Sequence, residues 1–547
     1  MNIKIFKFID FDSNGIFVEF NNKEKKNVEI NLFLNNEIIE SIETKEDHHL
    51  FNVDKSGDYH VEISLENENT LNLNSKEISF HIPQKQTKKK IKKAVKSKTI
   101  NQKIDGINNY YLEIKVKKGS YDKLKQELTF NSKLPIDEIK RNIVRHSLNQ
   151  YRDYFTFHGG DTNFEDLLEL AEQIEKLDYV EYCSVTPDTT GYLPPAEKLP
   201  LNQETLDEVK SVDDDFITPD FTHLQTYLDA PKGMNIRNAW AKNINGSQAV
   251  VRHLDFGVYK NHEDLKDSNI TVVNSRRTPN PSLPETEDCN HGTASTGCIV
   301  ATKNAFGVTG IAHDCQFYFV FPEWTQGGYD TGDALDQIVN HVQPGDIVSL
   351  DIQFSVLGGK LLPATAIRSW WERIKIMVDK GATVILAAGN GGLDLSEPGV
   401  MPDYRARGDS GSMLVGACNH QTNGTRAYFS NYNQKTSLNS WGDSVTTTGY
   451  GSLQKPLPGN NRNYTNYSGT SSATPLCSGA LALIQDYAKQ HYGIILSAWQ
   501  MRELIKKSNY TEGVDDGGQG IGYRPNVDDL FKEIDKLVQI SEPNENA

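Results

Sequence analysis

From residue 249 onward, short apolar runs and helix-like runs alternate, and this alternation constrains the fold more than any other feature of the chain. Residues 249–255, 315–321, 346–354, 382–388 and 413–418 are rich in strand formers. Between and after them, residues 294–302, 329–342, 364–380 and 499–507 carry helical spacing or small-residue helix composition. Strands and helices in turn predict an α/β fold, a mostly parallel sheet with helices on both faces. In such sheets, functional side chains gather just beyond the carboxyl ends of strands. Asp255 ends one of these runs and Asn390 follows another.

A chain of 547 residues has room for two to four domains, and the part before residue 249 divides by composition. Residues 1–84 hold short alternating segments at 4–10, 15–20, 28–34 and 59–65, separated by turn clusters such as Asp12-Ser13-Asn14-Gly15. They predict a small β-sandwich-like domain. Residues 85–105 form a basic linker around Lys88-Lys89-Lys90-Ile91-Lys92-Lys93. Residues 106–188 read as strand, helix, strand, helix, strand, with a helix expected over 135–146 and another over 164–177, the order of a ferredoxin-like α+β domain. Residues 189–233, with prolines at 194, 195, 200, 219 and 231, are expected to be a tether.

Charge and cysteine usage narrow the function classes. The formal net charge of −16 argues against a general nucleic-acid binder. No run of eighteen apolar residues is present, so no membrane span is expected. The six cysteines, at 183, 289, 298, 315, 418 and 477, show neither zinc spacing nor a redox pair. Unpaired cysteines and a start that reads as a strand rather than a signal peptide favour a cytoplasmic location, with secretion as the alternative.

Four polar segments interrupt the β/α series: Leu254-Asp255-Phe256-Gly257, Asn290-His291-Gly292-Thr293, Ala388-Gly389-Asn390-Gly391 and Ser468-Gly469-Thr470-Ser471-Ser472. The last runs into an apolar helix, Leu476 to Ile484, buried on all sides by its composition. Each residue has an ordinary reading when taken alone. Asp255 suits a strand-end turn, His291 a core histidine, Asn390-Gly391 a turn, and Ser468, Thr470 and Ser471 a helix cap. Together they supply a nucleophile, a base, an orienting acid and an oxyanion donor.

The order Asp, His, Asn, Ser within these segments resembles the subtilisin-like serine proteases (peptidase family S8). Phe306-Gly307-Val308-Thr309-Gly310-Ile311-Ala312, Trp441-Gly442-Asp443 and Ile521-Gly522-Tyr523-Arg524-Pro525 extend the resemblance over roughly residues 220–540. It implies a catalytic domain at 234–540 that hydrolyses peptide bonds through an acyl-enzyme. Asp255, His291 and Ser471 would be catalytic, and Asn390 would complete the oxyanion hole. Asp351, Ile352, Gln353 and Gly389 would line the substrate cleft. The stretch Leu177 to Asp188 resembles the last strand of the inhibitory propeptide of that family, which implies an intramolecular partner at 106–188 and self-processing within 189–233.

Several positions depart from the family pattern. Phe256 replaces a small hydroxyl residue beside the aspartate, Ser472 stands where methionine is common, and Asp351-Ile352-Gln353 replaces Ser-Leu-Gly. No cofactor is implied, and a structural calcium has no acidic loop to which it can be assigned. The partners implied are protein or peptide substrates. A non-catalytic binding protein on the same fold, or a hydrolase acting on esters, are the alternatives.

Overall fold

The computed structural model describes residues 3–9, 14–35, 37–65, 72–80, 110–117, 119–120, 122–124, 126, 143–145, 154–158, 163–187, 192–193, 217–273, 287–320, 324–325, 328–329, 331–356, 359–401, 407–420, 422, 424–433, 436–456, 461–508 and 519–541. Seven parallel strands form the central sheet, in the order Ile270–Val273, Gln316–Val320, Val250–Leu254, Ile347–Leu350, Thr383–Ala387, Met413–Cys418 and Thr436–Trp441. Alternation along each strand sends its side chains to two separate cores. Val251, Phe317, Phe319, Ile347, Ile385 and Val415 join the helices Glu287–Val300, Thr470–Tyr492 and Val527–Ser541. Leu254, Val320, Val348, Leu350, Leu386 and Leu414 join Thr331–His341 and Arg368–Asp379 on the opposite face.

The helix Thr470–Tyr492 runs through the first of these cores and is buried along nearly its whole length. Two of its hydroxyls are satisfied within the helix: Thr474 Oγ1 donates to Thr470 O (2.7 Å) and Ser478 Oγ to Thr474 O (3.0 Å). Gly479 permits close packing, because a Cβ there would stand 2.6 Å from Ile311 Cβ.

Two of the elements expected around the central sheet differ. Residues 346–354 are not one strand: Ile347–Leu350 belongs to the central sheet, while Gln353–Val356 pairs antiparallel with Lys360–Pro363. The break falls at Asp351 and Ile352, between the two strands. Residues 217–233 are not a loose tether, since Gln225, Tyr227 and Leu228 are buried. Gln225 is bonded in both directions to Thr309, accepting from its N–H and donating to its carbonyl, each at 2.9 Å.

The chain before the central sheet forms two further layers. Residues 3–80 supply the strands Ile3–Ile9, Asn14–Phe20, Val28–Leu34, Glu37–Thr44, His48–Val53, Gly57–Leu65 and Asn72–Phe80, around a core that includes Ile16, Val18, Ile30, Phe51 and Val61. Three of these strands share their sheet with Ile494–Leu496, which follows the long buried helix and pairs parallel with Lys7 to Ile9. Phe6, Phe8 and Phe17 pack with Ile495 at that joint.

Residues 110–187 form an antiparallel sheet ordered Val180–Pro187, Tyr110–Val116, Tyr154–His158, Ile143–Arg145, backed by the helix Phe164–Glu175. The helix expected over 135–146 is corrected where it is described: Ile143–Arg145 is a strand. Its β-branched pair, Ile143-Val144, fits an edge strand better than a helix. This sheet shares the second core with Arg368–Asp379. The basic linker 85–105 and residues 274–286 lie outside the described residues.

Candidate active site

Asp255 sits one residue beyond the strand Val250–Leu254, and His291 lies in the first turns of Glu287–Val300. Their side chains meet in complete burial. His291 Nδ1 stands 2.7 Å from Asp255 Oδ1 and 2.9 Å from Oδ2. Phe256 does not displace the carboxylate; its backbone N–H donates to Asp255 Oδ1 at 2.6 Å. Burial would raise the Asp255 carboxyl, but the imidazoles of His291 and His253 outweigh it and hold it at about 2. Gly292 allows the helix to approach, since a Cβ there would lie 2.0 Å from the Gly257 carbonyl oxygen.

Asn390 and the start of the long helix face each other. Gly469 is the N-cap, with φ of 97°, and no side chain caps the helix. The expected hydroxyl cap is thus replaced by a bridge. Thr470 donates from both its N–H and its Oγ1 to Asn390 Oδ1, each at 2.9 Å. With its oxygen so engaged, the Asn390 amide presents its NH₂ end away from Thr470. The Asn390 N–H is held by Gln353 Oε1 at 2.9 Å. Ser471 follows Thr470 in the first turn of the helix and is fully buried. Ser472 is occupied structurally, its Oγ donating to Trp441 O (3.0 Å) and Gly469 O (2.9 Å).

The hydrogen bonds of His291 run to Asp255 and to Tyr467. The Tyr467 hydroxyl lies 2.9 Å from His291 Nε2 and the two rings meet edge-on, at 5.5 Å between centroids. Burial pushes the phenol well above its usual value, so it stays a neutral hydroxyl. This contact is not legible in sequence, although Tyr467 immediately precedes the serine segment.

The residues expected in the cleft are brought together unevenly. Gly389 precedes Asn390, Gln353 bonds the Asn390 N–H, and Ile352 precedes the strand Gln353–Val356; Gly389 has φ of 97°, with the Asn431 amide 2.7 Å from where a Cβ would be. Asp351 instead turns inward, accepts from Ser349 Oγ (2.9 Å), and joins His253 and Asp255 behind His291. Burial pushes its carboxyl up to about 6. These three form the one group among the described residues whose donor atoms all lie within 4.8 Å of one another. Because Asp255 is already engaged by His291, the group is a charge cluster of the site and not an open cation cradle. The only sequence signal for His253 is a titratable ring inside a strand whose other residues, apart from Arg252, are apolar.

One further pairing touches the site. The backbone of Tyr192–Leu193 pairs antiparallel with Gln353 and Phe354, on the edge opposite Lys360–Pro363.

The sequence profile of the subtilase family matches residues 246–522. The major intracellular serine protease of Bacillus subtilis (strain 168) is 28% identical over 291 residues, covering 51% of this chain and 83% of that protein. Subtilisin of Bacillus pumilus is 30% identical over 245 residues, covering 45% of this chain and 79% of its own. Subtilisin E of Bacillus subtilis (strain 168) is also 30% identical over 245 residues, covering 45% of this chain and 57% of its own. Among solved structures, fervidolysin from Fervidobacterium pennivorans, a keratinolytic enzyme related to subtilisin, superposes with a TM-score of 0.51 at 15% identity, over 80% of this chain and 63% of that one. That likeness concerns the fold.

Proposed function

Since the chain belongs to the subtilase family of serine endopeptidases, we propose that Ser471 attacks the scissile carbonyl of protein or peptide substrates and forms an acyl-enzyme. A serine hydroxyl is a weak nucleophile near neutral pH and needs a base. His291 takes its proton and later passes it to the leaving amine. Asp255 holds the ring by Nδ1 and stabilises the imidazolium. The Asn390 amide and the Ser471 N–H receive the developing oxyanion, and losing one such donor typically costs about 100- to 1000-fold in turnover.

The observation that carries this reading is the buried His291–Asp255 pair together with the Thr470–Asn390 bridge, which aims the amide from beside Ser471. In the covered form the Tyr467 hydroxyl occupies Nε2, so the phenol yields that nitrogen to Ser471 when substrate enters.

Residues 110–187 are read as a ferredoxin-like inhibitor unit, on the strength of their strand order and their docking on Arg368–Asp379. The pairing of Tyr192–Leu193 with Gln353 and Phe354 supports a tail that lies in the cleft as an extended strand and is cut by the enzyme itself within 189–233. Residues 1–84 are read as a β-sandwich-like module. Incubating the purified full chain and its Ser471→Ala variant tests the proposal. Self-cleavage and peptide hydrolysis are expected only with Ser471, and a variant that retains both sinks it.

A further inference from the structure

His253 is fully buried in the middle of the central sheet, two residues before Asp255. Its Nε2 lies 3.3 Å from Asp255 Oδ2, on the same carboxylate that His291 engages. Neither of its ring nitrogens has a hydrogen-bond partner, and neither does Asp351 Oδ2. Phe317 and Phe319 wall the ring, with centroids 5.7 and 5.4 Å away. A neutral imidazole in that place would leave two orphaned polar atoms in an apolar core, beside an orphaned carboxylate oxygen. A charged one meets two carboxylates, since a ring nitrogen and an oxygen of each of Asp255 and Asp351 lie within 4.8 Å of one another.

We propose that His253 is a positioning residue: as an imidazolium between Asp255 and Asp351, it holds the Asp255 carboxylate ionised and in place from behind. One carboxylate is then gripped by two imidazoles, His291 in front as the base and His253 behind as a fixed cation. Asp351 neutralises that cation so that the resting site keeps a single net negative charge for His291. The other titratable groups facing this cluster stay uncharged. Tyr467, from Tyr464–Tyr467, is held as a phenol, while Cys298 from the histidine helix and Cys477 from the serine helix are held as thiols by burial. Burial alone would push the His253 imidazole down, but Asp351 and Asp255 outweigh it and raise it. This inference rests on Asp255 serving His291, as proposed above.

The test has two arms. In the full-length Ser471→Ala chain, which needs no turnover, histidine-selective ¹⁵N NMR follows the imidazole whose signals vanish in His253→Gln. That ring is expected to carry both protons at pH 7, and its midpoint should drop by about one unit or more in Asp351→Asn. A neutral ring at pH 7, or a midpoint indifferent to Asp351→Asn, overturns the proposal. In the active full chain, His253→Gln should lower kcat about tenfold or more with KM within about twofold. The acid limb of kcat/KM should move to higher pH, because a cation no longer opposes protonation of His291. Unchanged kcat and an unmoved limb overturn it as well. If His253→Gln does not fold, Asp351→Asn carries the test through its NMR midpoint. Loss of the triad reading would appear separately, as activity that survives Ser471→Ala.

Discussion

Glu113 ties residues 110–187 to the catalytic layer through a buried ion pair. It lies on the strand Tyr110–Val116, is 1% exposed, and forms an ion pair with Arg373 of the helix Arg368–Asp379. Arg373 is itself 3% exposed and bonds Asp336 through Nε (2.6 Å) and Nη2 (3.3 Å). Removing one partner of a buried pair typically costs about 3–5 kcal/mol. Here Asp336 remains to neutralise the guanidinium, and the Gln side chain can still accept. We therefore expect Glu113→Gln to weaken docking by about 2–3 kcal/mol. In the Ser471→Ala background, hydrogen–deuterium exchange of the strand Val180–Pro187 reads this as opening about 30- to 150-fold more frequent. The strands of residues 3–80 serve as the internal control. Exchange within about threefold of the parent would show that the apolar contacts alone hold the sheet, and would refute the reasoning.

Other perturbations follow from the same geometry. Gly479→Ala should cost about 1–2 kcal/mol and lower the thermal midpoint, because the new methyl meets Ile311; an equal or higher midpoint in a thermal melt would contradict this packing. Tyr467→Phe removes the hydroxyl from His291 Nε2 and should raise the rate at which a fluorophosphonate labels the covered full chain; an unchanged or slower rate means the hydroxyl does not compete with Ser471. Asp255 is held at about 2 against an ordinary 3.8, so its stabilising contribution is full above the ordinary value and is lost as pH falls toward 2. Asp255→Asn should therefore flatten the acid-denaturation profile between about pH 4 and 2, and a parallel profile argues against the coupling.

Much of the catalytic layer is legible in the sequence because local pattern and global fold agree there. The runs 382–388 and 413–418 are apolar but for Thr383, as parallel strands buried on both faces tend to be, and Asp255 and Asn390 stand where strands of this sheet end. What escapes the sequence depends on distant partners. The run 346–354 reads as one strand, and nothing local reveals that Gln353–Val356 turns to a different neighbour. That Ile494–Leu496 completes the sheet of the first strands follows only from their meeting across nearly the whole chain length. Asp351 was expected to face the cleft through its neighbours in the chain, and it faces inward because His253 and Ser349 are there to receive it. Tyr467 directly precedes the serine segment, but its contact with His291 Nε2 is a matter of side-chain direction, which spacing does not report.

The measurement that bears most directly on the central claim is the site of covalent labelling by a fluorophosphonate after the full chain has been allowed to process itself. Peptide mapping by mass spectrometry is expected to find one adduct, on Ser471, absent when His291 is replaced by alanine. An adduct on Ser468, Ser472 or any other serine, or labelling that survives the loss of His291, would contradict the account.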